Sequence, residues 1–144
     1  MIVLGADPGQ GGGIAVLDPS NPDKAFKMPE TLADLRELLA PFTDTSCVCY
    51  LEAVSSSPQM GVTSAFKFGK NYGHIEAGII FSKIRLERVA PQTWQKALRC
   101  LSGGDKNVTK MKAQELFPQL KITHAIADAL LIAEFGRRKE LGIL

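Results

Sequence analysis

The stretch Met1 to Asp18 (MIVLGADPGQGGGIAVLD) constrains the fold more than any other. An apolar run, Ile2 to Asp7, ends in an acid. A turn rich in glycine follows (Gly9, Gly11, Gly12, Gly13), and a second apolar run covers Ile14 to Leu17. Two short β-rich runs around a glycine turn read as a hairpin. Asp7 then closes a buried strand beside a turn with almost no side chains. A carboxylate in that place is costly unless paired, hydrogen-bonded or bound to a cation. The glycines leave room for a bulky anion to approach it. An Asp before Pro and Gly is also a common turn residue, so the segment needs support from acids elsewhere.

After the hairpin, Asp18 to Asp23 is a turn cluster, and Ala25 to Met28 reads as a third strand. A helix opens near Pro29 to Thr31. Leu32, Leu35, Leu38 and Leu39 recur at helical spacing, and Pro41 stops it. Ser46 to Leu51 (SCVCYL) is a buried strand, and it runs directly into Glu52. Val62 to about Lys83 is helical, with Ala65, Phe68, Tyr72, Ile75, Ile79 and Ile80 toward one side. Gly69, Gly73 and Gly78 interrupt that helix, which suggests close approach by another backbone or a ligand. Arg85 to Val89 is a strand ended by Pro91, and a helix holding Trp94, Ala97 and Leu98 follows. Lys106, Lys110 and Lys112 lie on a helix ending at Phe117-Pro118. The last helix runs from about His124 to Arg138, with Asp128 inside an apolar run and cations at its C-terminal end.

Strands interleaved with helices give an α/β class. The expected sheet is mixed and five-stranded: a three-strand meander followed by crossover-connected parallel strands, flanked by helices. With 144 residues, 45% hydrophobic and without internal linkers, the chain fits a single domain over residues 1–144. The formal net charge of +2 does not by itself argue for nucleic acid. Three cysteines make an odd count without a CxxC motif, so zinc and a disulfide scaffold are not expected. Cys47 and Cys49 are expected on opposite strand faces, and so unjoined. No signal peptide or membrane-spanning run is apparent, which points to an intracellular, cytoplasmic location and no membrane partner.

Asp7 and Glu52 each terminate a strand, and Asp128 interrupts an apolar helix face. His124 lies one helical turn before Asp128 on the same face. Each acid alone is compatible with a turn, solvent-facing or backbone-bonding role. Three carboxylates meeting at one spot would raise one another's pKa. Hard oxygen donors of this kind suit Mg²⁺, or Mn²⁺ in its place. Two such ions are able to promote phosphodiester hydrolysis.

The ordered set of these segments resembles a known family. Ile2 to Asp18 with GADPG, Tyr50-Leu51-Glu52, Ser64 to Gly73 (SAFKFGKNYG), Ala90 to Trp94 (APQTW) and Ala127 to Ala133 (ADALLIA) are similar, in order, to the RuvC-type Holliday junction resolvases, most of all the compact RuvC-like forms. The likeness spans nearly the whole chain. It implies an RNase H-like fold, a homodimer, and Mg²⁺-dependent symmetric nicking of four-way DNA junctions in recombination and repair.

Carried over by position, the resemblance assigns the metal-ligating acids to Asp7, Glu52 and Asp128. The family's remaining ligand falls near Ala125, so His124 is the available substitute. Lys106 and Lys110 match a basic stretch near the scissile phosphate, and Lys67, Lys70, Lys112, Arg137 and Arg138 are candidate DNA-backbone contacts. The family's aromatic junction wedge is replaced by Ser55, which leaves Met60 or Phe66 for that role. Tyr72, Phe68 and Ile75 to Ile80 are candidates for a dimer interface. The alternatives are an RNase H-like nuclease acting on another branched or hybrid nucleic acid, a junction-binding protein that does not cleave, and a nucleotide-binding fold of the actin and sugar-kinase type.

Overall fold

The computed structural model describes every residue from Met1 to Leu144. The expected hairpin forms: β1 (Ile2–Asp7) and β2 (Gly13–Leu17) pair antiparallel, with Val3 opposite Leu17 and Asp7 opposite Gly13. A third strand, β3 (Lys24–Lys27), adds antiparallel to β2 and completes the meander. Helix α1 (Leu32–Leu39) and a 3-10 turn at Ala40–Phe42 lead to β4 (Cys47–Glu52), which runs parallel to β1. Helix α2 (Val62–Phe81) carries the chain to β5 (Arg85–Val89), parallel to β4. Three helices follow: α3 (Pro91–Ala97), α4 (Lys106–Leu116) and α5 (His124–Glu140). The sheet order is β3-β2-β1-β4-β5. It is the mixed five-stranded sheet expected from the sequence.

Local chemistry accounts for the helix starts. The Thr31 side chain accepts from the Asp34 amide at 3.1 Å and caps α1. Pro91 occupies the first turn of α3, where a missing N–H costs nothing. The Asp105 side chain accepts from the Asn107 amide at 2.9 Å and caps α4.

Both faces of the sheet are covered. Val3, Ala15, Leu17, Val48 and Tyr50 point toward α3, α4 and α5, where they meet Trp94, Phe117, Leu130 and Phe135. Leu4, Ala6, Ile14, Val16, Cys49 and Leu51 point the other way, toward Leu35 and Leu39 of α1 and Ile75 and Ile79 of α2. A strand buried on both faces has no polar side to show, which is why β1, β2 and β4 read as unbroken apolar runs.

Helix α5 lies with its backbone almost against the sheet. Ala125, Ala129 and Ala133 recur every fourth residue, so they share one helix face. A methyl group at Gly5 would overlap the Ala129 carbonyl oxygen and the Ala133 amide nitrogen, and one at Gly13 would overlap the Ala125 carbonyl. The far end is fastened by the Tyr50 hydroxyl, which donates to Glu140 at 2.8 Å. The helix therefore runs two residues beyond the expected Arg138.

Three expectations need correction. Cys47 and Cys49 share one face, as residues two apart in a strand must, and both are buried free thiols in the same core layer. Within the chain, no other backbone packs on the α2 glycines. Gly78 meets the Leu35 and Leu39 side chains of α1, while Gly69 and Gly73 face open space. Ile75 and Ile79 belong to this chain's own core. The exposed apolar side chains of α2 are instead Val62, Phe66, Ile80 and Phe81, so Phe66, 72% exposed, is not a core residue.

The outer strands are charged. β5 carries Arg85, Glu87 and Arg88: Arg85 pairs with Glu87 and Glu140, and Arg88 lies 2.5 Å from Glu76 of α2. β3 exposes Lys24 and Lys27.

Gly5→Ala forces a methyl group into the backbone of α5 and is expected to destabilise the fold by about 1–3 kcal/mol, the usual range for overpacking. Gly11→Ala, which meets nothing within 4 Å, is expected to be close to neutral. Urea unfolding of the two variants checks the contrast.

Candidate active site

The parallel register pairs Ala6 with Leu51. One residue further along, Asp7 and Glu52 stand side by side at the same end of adjacent strands. Side chains alternate along a strand, so both acids follow Gly5 and Tyr50 onto the face that α5 covers. Asp128 lies on α5 between Ala125, which abuts Gly13, and Ala129, which abuts Gly5. Three elements far apart in sequence thus deliver one carboxylate each to the same end of the sheet.

The electrostatics fit that placement. Burial, then the charges of Glu52 and Asp128, push the Asp7 carboxyl up from 3.8 to about 7, against a smaller opposing effect of Lys106. Glu52 is raised as well, mainly by burial and further by Asp128. A hydrogen bond from Trp94 and the charge of Lys106 oppose the rise. The Trp94 indole Nε1 donates to Glu52 Oε2 at 2.8 Å. None of the three acids takes part in a salt bridge.

The donor set is all carboxylate oxygen, partly desolvated and without an ion-pair partner. That chemistry fits a hard divalent cation. The side chains do not close into a ready-made cage, because no group of three or more His, Cys, Asp or Glu residues is placed to hold an ion as they stand.

Helix α4 brings Lys106, its first residue, within electrostatic range of both Asp7 and Glu52. Lys110 follows one turn later on the same helix face. Lys112 is turned to Glu115, 3.2 Å away. His124 stands exposed at the first residue of α5, one turn before Asp128.

Lys67 and Lys70 line a groove of about 580 Å³ between the β1–β2 turn, the β3–α1 connection and α2. Gly9, Gln10, Lys27, Asn71 and His74 are also in its wall. Gly9 adopts φ +104°, a left-handed conformation that favours glycine.

Arg137 and Arg138, candidate DNA contacts in the sequence, are already engaged within the chain. Both are ion-paired with Glu134, 6% exposed, Arg138 through Nε at 2.7 Å. A buried carboxylate requires such compensation, and the spacings of three and four residues place both guanidinium groups over it. Glu134 inside an apolar run followed by two arginines was the sequence signal for this latch. The bond from Trp94 to Glu52 had no such signal.

No protein-family model and no curated protein matches the chain. Among solved structures, it is similar to Thermus thermophilus RuvC at a TM-score of 0.70 and 18% identity, over 99% of this chain and 98% of that one. It is also similar to T. thermophilus RuvC in complex with a Holliday junction substrate, at a TM-score of 0.68 and 18% identity, over 99% and 97% of the two chains. The chain therefore has the RuvC fold, an RNase H-like architecture.

The folded pKa of Asp7 lies above its unfolded value. Between the two the folded state holds the extra proton, and metal-free stability declines as pH rises from about 4 toward about 7. Asp7→Asn is expected to remove most of that decline and to raise the melting temperature at neutral pH in chelator. Thermal unfolding from pH 4 to 8 measures both.

Proposed function

We propose that the chain is a Mg²⁺-dependent, structure-selective endonuclease, a crossover junction endodeoxyribonuclease that resolves four-way DNA junctions by paired symmetric nicks. The observation that carries this reading is the placement of Asp7 and Glu52 at neighbouring strand ends, with Asp128 in electrostatic range and no ion-pair partner for any of them. The choice of substrate is supported by the RuvC of the same fold in complex with a Holliday junction substrate.

Asp7, Glu52 and Asp128 would hold the cation, with His124 available at the open edge. Bound there, Mg²⁺ supplies neutralisation of phosphoryl charge and acidifies the attacking water. Mn²⁺ is expected to substitute, since both ions favour oxygen donors.

Lys106 faces the same acids and is placed to offset the negative charge that builds on the phosphate during cleavage. Lys110 extends that positive edge by one turn. Lys67 and Lys70, in the groove that opens beside the Gly9 turn, supply backbone contacts. Selectivity then rests on DNA shape and on the spacing of two sites, since phosphate contacts carry no base information.

Two sites require two copies. Val62, Phe66, Gly69, Gly73 and Ile80 lie along one stripe of α2, with open space over both glycines. Small residues at this spacing let helix backbones approach closely, and the flanking apolar side chains are the surface that a homodimer would bury. Phe66, the second residue of that stripe, is an exposed aromatic available to a junction centre.

A second reading is a junction-binding protein that does not cleave. One observation favours it: the acids do not close into a cage as they stand. A third keeps the fold and changes the substrate to another branched DNA or an RNA–DNA hybrid.

Nicking of a synthetic four-way junction in Mg²⁺, compared with flap, hybrid and linear duplex, separates the three. Asp7→Asn is expected to slow nicking by about 10²–10³-fold, the scale for losing one charge-stabilising group, and to leave junction binding in chelator intact. An unchanged rate sinks the mechanism. Gly73→Glu is expected to turn a dimer into a monomer in sedimentation; a monomeric parent protein removes the homodimer.

A further inference from the structure

We infer that Trp94 is a positioning residue for Glu52 in the proposed metal site: its indole N–H holds Oε2 and leaves Oε1 for a divalent cation. The inference rests on the metal-dependent reading above and goes beyond it, since it assigns a role to a residue that touches neither cation nor DNA.

Trp94 is fully buried, and its Nε1 donates to Glu52 Oε2 at 2.8 Å. An indole has a single donor and no acceptor, so its entire hydrogen-bonding capacity is committed to this carboxylate. The Glu52 carboxylate receives no other protein hydrogen bond, and Oε1 is left for another partner.

The geometry is held from several sides. Glu52 and Val89 are opposite each other in the β4–β5 ladder, and the Ala53 amide donates to the Val89 carbonyl at 2.8 Å. Pro91 opens α3 immediately after that strand end, so Trp94 is carried back over Glu52 within one helical turn. The ring is packed in the core layer that also holds Phe117, Leu130 and Ala127. A tryptophan fixed by packing and aimed at a site acid has the character of the outer-shell partners that orient metal ligands. A purely structural indole would be equally well buried with its N–H on a backbone carbonyl.

Trp94 is the chain's single tryptophan, so its fluorescence reports on Glu52 directly. In the parent protein, Mn²⁺ is expected to quench the emission and Mg²⁺ to shift it, and Glu52→Gln is expected to lose both responses.

Trp94→Phe keeps most of the ring and deletes the donor. It is expected to weaken Mn²⁺ binding, measured by calorimetry, by about tenfold, the lower end of the range for an outer-shell partner. Nicking should fall at limiting metal and recover at saturating metal, with junction binding in chelator unchanged. Phe117→Leu loosens the same core layer away from Glu52. It should lower the melting temperature without moving the metal midpoint.

A Trp94→Phe protein that loses thermal stability but binds Mn²⁺ as the parent does overturns this inference alone. A parent protein that binds no Mn²⁺ overturns both this inference and the metal-dependent reading.

Discussion

The structure is organised around the cost of holding Asp7 and Glu52 next to each other in a partly desolvated place. Parallel pairing of β1 with β4 fixes their separation, and backbone hydrogen bonds along the whole ladder would have to break for them to escape it. Water cannot fully solvate either group, because α5 covers the face they point from. The outcome is an Asp7 carboxyl whose ionisation moves up to about 7. The fold is therefore less stable, at neutral pH and without a cation, than the same scaffold with neutral side chains at these positions. Strain of this electrostatic kind is common where a protein's chemistry is done.

Two further elements temper the repulsion. Helix α4 supplies the positive charge of Lys106, and α3 supplies the indole hydrogen bond to Glu52. Both lie C-terminal to the sheet and pack in the same core layer as α5. The three helices thus act together on one end of the sheet, while α1 and α2 cover the opposite face and support the groove that holds Lys67 and Lys70. The acidic cluster and the candidate DNA contacts are contributed by opposite sides of a single sheet, and they meet at the β1–β2 turn.

Much of this was legible in the sequence. The apolar runs of β1, β2 and β4 fixed the strands, the leucine spacing fixed α1, and acids at the ends of two buried strands marked the site. What the sequence hid were contacts between distant elements. Gly5 reads as an ordinary strand residue, yet it is the point where α5 comes closest to β1. The bond from Trp94 to Glu52 joins residues from different elements, and no spacing rule connects them. Arg137 and Arg138 read as free cations at a helix end because the burial of Glu134 depends on how α5 docks. On α2, periodicity located a helix and the side carrying Tyr72, Ile75 and Ile79, but not whether that side met this chain's own core or a second copy. Ile75 and Ile79 turn to the core, and Phe66 turns to solvent.

The charged outer strands have a consequence for how copies of the chain can meet. An open sheet offers unpaired amides and carbonyls at both margins, an invitation to strand addition and stacking into fibrils. Along β5, Arg85 is tied to Glu87 and to Glu140 of α5, and Arg88 to Glu76 of α2. Along β3, two lysines flank a strand of only four residues. Another chain adding a strand at either margin would have to desolvate those ions or break their pairs. Growth through the sheet is thereby discouraged, and contact through a helical face is left as the path of least resistance.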